Sequence, residues 1–140
     1  MKASEAAWNT FYQKLGYLFY SVAKADRTIN EKEIDALHEM VKKEWLHLES
    51  THDAFGTDAA FQIEIVFDWI RDNDIKAEKA FHAFEQYYKE NPSMFDDEVV
   101  SKIVKTCKAI AVSFHGNNKA ELASLHRMHA LLGTISAGVQ

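Results

Sequence analysis

Residues 59–74 read AAFQIEIVFDWIRDND, and two periodicities compete within them. Phe61, Ile63, Ile65 and Phe67 alternate as in a half-buried strand, whereas Phe61, Ile65, Val66, Trp69 and Ile70 follow the three-and-four spacing of a helix face. A strand must pair its backbone N–H and C=O groups with a neighbour, and no other segment of the chain reads as one. The segment is therefore read as a helix, and the chain as all-α.

The flanking segments agree. Trp8, Phe11, Tyr12, Leu15, Leu18, Phe19 and Val22 line one helical face. Asn30 followed by Glu33 forms a capping-box pair, so a second helix starts near Glu31 and continues through Ile34, Leu37, Val41 and Leu48. Residues 49–58, ESTHDAFGTD, read as a polar loop with a Gly. Asp74 is expected to cap a fourth helix whose inner face is Ala77, Ala80, Phe81, Phe84, Tyr87 and Tyr88, with Pro92 stopping it. A fifth helix runs from about Asp97, with Val100, Ile103, Val104, Cys107, Ile110, Ala111 and Phe114 turned inward. A sixth follows Asn118 to about Leu132, with Gly133 as its C-terminal cap. Tyr17, Tyr20 and Trp45 fall off the best-buried faces and are assigned to a partner or homodimer surface.

With 140 residues, 47% of them hydrophobic, the chain has the size and composition of one domain with its own core, residues 1–140. The single cysteine, Cys107, forms no internal disulfide and belongs to no zinc-type spacing, which fits a reducing compartment. Glu5 and Asn9 interrupt the start where a signal peptide needs an apolar segment, and no stretch approaches the roughly 20 apolar residues of a membrane span. The expected location is the cytoplasm. Sixteen Lys and Arg against 21 Asp and Glu give a net charge of -5, which disfavours nucleic acid and favours cations or basic partners.

The chain also echoes itself. Aligned so that Val22 meets Ile110, Ala23 pairs with Ala111, Asn30 with Asn118, Glu33 with Glu121, Ile34 with Leu122, Leu37 with Leu125, His38 with His126 and Met40 with Met128. Two helix-turn-helix units are expected, one towards each end.

Residues 23–37, AKADRTINEKEIDAL, resemble the A-x-A-D-G turn followed by a helix-opening Glu in TerB-like tellurite-resistance domains, and residues 109–133 look like that family's second copy. The resemblance implies a single compact all-α bundle of about six to seven helices, a count that the helical periodicities also allow. It further implies a non-enzymatic module associated with stress resistance and membrane-associated partner proteins, whose acidic turns bind a divalent cation. Asp26 matches the family's Asp and Glu33 its Glu, while in the second copy Glu121 is retained and Phe114 lies opposite Asp26. Arg27 stands where the family usually has Gly. The implied metal set is Asp26, Glu33 and Glu121.

The residue chemistry permits that reading, because calcium and magnesium take several oxygen ligands and Asp26, Thr28, Asn30 and Glu33 supply them within one turn. It equally permits a well-capped corner in which Asn30 and Glu33 serve only the helix. An EF-hand is excluded, because Glu31 occupies the loop position that needs Gly and Leu37 the position that needs Glu. Glu44 to His47 matches the Glu-x-x-His element of di-metal helical bundles, an oxidoreductase alternative that needs a second copy. Asp35 to His38 has Asp in place of Glu, and Glu78 to His82 has the wrong spacing. His126 and His129, with His115 before them, lack a third fixed ligand at helical spacing. Phosphate-binding and nucleophile-elbow motifs are absent, the five glycines being scattered singly, so no catalytic residue is assigned. A purely structural protein-interaction domain is the remaining alternative.

Overall fold

The first helix carries more apolar side chains than one face can hold, and the tertiary structure shows where they go. The computed structural model describes residues 5–24, 31–45, 61–112 and residue 130. Within them lie α1 (Glu5–Ala23), α2 (Glu31–Met40) continued by a π-helical turn (Val41–Trp45), α3 (Gln62–Asp72), α4 (Ala77–Glu90), a 3-10 turn (Pro92–Met94) and α5 (Asp97–Val112). The described residues form an all-α bundle and contain no strand, so the helical reading of residues 59–74 holds for Gln62–Asp72. The sixth helix expected from Asn118 to Leu132 and its Gly133 cap lie outside the described residues, as do Leu48 and Phe114.

α1 is the axis of the bundle. Every side chain from Leu18 to Ala23 is buried, a pattern that a helix shows only when neighbours surround it. α3 and α4 pack most extensively on α1, α5 also touches it, and α2 lies on α5. This arrangement overturns the assignment of Tyr20 and Trp45 to a partner surface: both are fully buried, and Tyr17 is half-buried against the core. A single-face wheel fails for a helix with partners on several sides.

Trp45 goes inward for a different reason. A π-helical turn holds more residues than the 3.6 of an α-turn, so from Val41 to Trp45 the chain steps back towards the line of Leu37. The indole then meets the rings of Phe19, Phe11 and Tyr12, at centroid distances of 6.1, 6.3 and 6.5 Å.

The rotation of α3 also differs from the sequence expectation. Its buried side chains are Ile63, Phe67 and Ile70, with Val66 half-buried, while Phe61, Ile65 and Trp69 are exposed. Gly16 accounts for the close crossing: a Cβ there would lie 2.9 Å from the Ile63 carbonyl oxygen and 3.1 Å from Val66 Cβ. The missing side chain lets the α3 backbone approach α1 at Ile63 and Val66, which fixes the side that α3 turns inward.

α4 buries Ala80, Phe81, Phe84, Tyr87 and Tyr88 as its spacing predicts. Its start is not capped by Asp74; Lys76 occupies the cap position and makes no side-chain cap bond. At the other end, both the backbone N–H and the side-chain amide of Asn91 donate to the Tyr87 carbonyl, at 2.9 and 3.1 Å, and Pro92 opens the 3-10 turn. Phe95 then enters an aromatic cluster, its ring centroid 4.8 Å from that of Tyr88 and 5.5 Å from that of Phe11. The Asp96 carboxylate accepts the Val99 N–H at 2.8 Å and caps α5, whose buried residues are Val99, Ile103, Thr106, Cys107 and Ile110.

Candidate functional site

The acidic turn lies between two helix ends that are in view. α1 closes at Ala23 and α2 opens at Glu31, the boundary expected from the Asn30 cap. Asp26, Glu121 and the side chain of Glu33 lie outside what the structure describes; Glu33 itself belongs to the first turn of α2. Anionic groups are favoured at such a helix N-terminus.

Lys24, the last described residue before the turn, pairs with the α3–α4 connection. Its ammonium donates to Asp74 Oδ1 at 2.9 Å, linking the end of α1 to the α3–α4 connection. Beside this pair the buried Tyr20 hydroxyl donates to the Ile75 carbonyl at 2.7 Å. Asp74 has φ 49°, in the left-handed region that Asp tolerates better than most side chains. The Lys24 hydrogen bond and charge hold the Asp74 carboxyl below its ordinary value. Burial pushes the Tyr20 phenol up, with Lys24 opposing and Asp74 adding to the rise. Lys24, Asp74, Lys76 and Ala77 line a recess of about 440 Å³. Sequence reasoning took Asp74 as a helix cap; the Asn-Asp pair directly after α3 is the turn signal that could have found it.

The other metal-type elements are engaged elsewhere. Glu44 accepts a hydrogen bond from Lys102 at 3.3 Å, tying the π-helical turn to α5, and its motif partner His47 lies outside the described residues. His38 of α2 meets the Glu64 carboxylate of α3. On the solvent side of α4, His82 bridges Glu78 at 3.5 Å and Glu85 at 3.2 Å. Among the described residues no three His, Cys, Asp or Glu side chains are grouped to hold a metal ion. His115, His126 and His129 are outside them. Cys107 is fully buried, and burial raises its thiol far above the range in which a thiolate forms.

The class these residues define is an all-α helical bundle with an aromatic core, and among the described residues no helix is long and apolar enough to cross a membrane. No protein-family model, no curated protein and no solved structure matches the chain.

Proposed function

We propose that this chain is a TerB-like stress-response module of the cytoplasm that acts by binding rather than turnover. In this reading Asp26 and Glu33 hold a divalent cation, calcium or magnesium, and Glu121 contributes from the second helix-turn-helix unit. Occupancy then ties the two turns together and sets a surface for a protein partner, one associated with a membrane.

The observation that carries the reading is the acidic turn itself, framed by α1 ending at Ala23 and α2 opening at Glu31. Asp26 is the acidic residue in this stretch that helix capping does not require.

Calorimetric titration of calcium, magnesium and manganese into chelator-stripped protein tests the proposal. One cation should bind, and the Asp26→Ala, Glu33→Ala double variant should lose that binding while keeping its helical circular dichroism. Unchanged binding in the folded double variant, or no binding by the wild type, overturns the cation assignment.

A further inference from the structure

The outward side of α3 carries two neighbouring columns of residues. Phe61, Ile65 and Trp69 recur at every fourth position and are 37%, 56% and 56% exposed. Glu64, Asp68 and Asp72 recur in the same way, each of the first two immediately preceding a member of the apolar column. The core does not need this apolar column, because α3 already buries Ile63, Phe67 and Ile70 on its other side. Glu64 meets His38, while Asp68 and Asp72 share one guanidinium, that of Arg71, at 3.5 and 3.9 Å. Glu64 is thus taken up by α2, and the open part of the column sets two carboxylates, Asp68 and Asp72, against a single arginine, in a chain of net charge -5.

We propose that this face of α3 docks a basic amphipathic helix of a partner protein. The partner's apolar ridge lies along Phe61, Ile65 and Trp69, and its Lys and Arg residues face Asp68 and Asp72. An exposed Trp flanked by further apolar groups is the residue type that anchors such interfaces. Charge chooses among occupants: a second copy of this chain would set the same carboxylates against each other, and an anionic membrane surface would be repelled by them. The inference rests on the reading of the chain as a binding module, but it uses none of the cation residues, so the two can fail separately.

The test is fluorescence anisotropy of a labelled synthetic helix of about five turns, with a Leu ridge at i, i+4 spacing flanked by Lys and Arg, against the full chain at low salt. Its control is the same ridge flanked by Glu. The basic peptide should bind and the acidic one should not. Ile65→Ser with Trp69→Ser should weaken binding by about tenfold or more, and Asp68→Lys should weaken it while also reducing its salt dependence. These positions are exposed, so the variants should melt as the wild type does. Equal affinity of the basic peptide for the wild type and the folded double variant overturns the proposal. So does sedimentation showing a wild-type dimer that the double variant abolishes, since the occupant would then be a second copy.

Discussion

The Trp45 indole N–H donates to Thr106 Oγ1 at 2.9 Å inside the core, and the same hydroxyl donates to the Lys102 carbonyl at 2.8 Å. One buried oxygen therefore accepts and donates at once, locking the end of the π-helical turn onto α5. Replacing Thr106 with Val keeps the shape but leaves the indole N–H buried without its acceptor. Thr106→Val should cost about 1–3 kcal/mol in urea unfolding, whereas Thr106→Ser, which keeps the hydroxyl, should cost distinctly less.

Gly16 offers the opposite balance. In an isolated helix Gly16→Ala would stabilise by about 1 kcal/mol, because Ala is the better helix former. Here the new methyl would stand 2.9 Å from the Ile63 carbonyl oxygen, a backbone atom that cannot swing aside. A net loss of about 1–3 kcal/mol is expected from forcing α1 and α3 apart, measured as a lower denaturant midpoint. A midpoint that rises would show that the crossing yields easily.

The Lys24–Asp74 pair predicts a pH dependence. The folded state lowers the Asp74 carboxyl, so the pair stabilises the protein above the carboxyl's unfolded pKa, and that contribution is lost as pH falls through the lower folded value. Asp74→Asn keeps a residue that tolerates positive φ and removes the charge. The wild type should be the more stable at neutral pH, and the two should converge on acidification. Because the Asp74 side chain is 82% exposed, the difference should be small and should shrink in salt.

Much of the local structure was legible from the chain. The start of α2 at Glu31 followed from the Asn30 cap, the inner face of α4 from the spacing of Ala80, Phe81, Phe84, Tyr87 and Tyr88, and the opening of α5 near Asp97 from its apolar pattern. The residues of the proposed cation site were legible only as a pattern, since a turn rich in oxygen ligands and a capped corner use the same side chains.

What sequence by itself determined is what depends on near neighbours: which segments are helical, where α2 and α5 begin, and that a lone strand at residues 59–74 would leave its backbone unpaired. Tertiary structure decided which way the helices face. Phe61, Ile65 and Trp69 fit a helix as well as Ile63, Phe67 and Ile70 do, and it is packing on α1, with the bare backbone of Gly16 against Ile63, that puts the second set in the core. The burial of Tyr20 and Trp45 likewise comes from elements distant in sequence, α3 to α5 and a π-helical turn. Helix periodicity says that a face exists; the neighbour it meets determines which face is used.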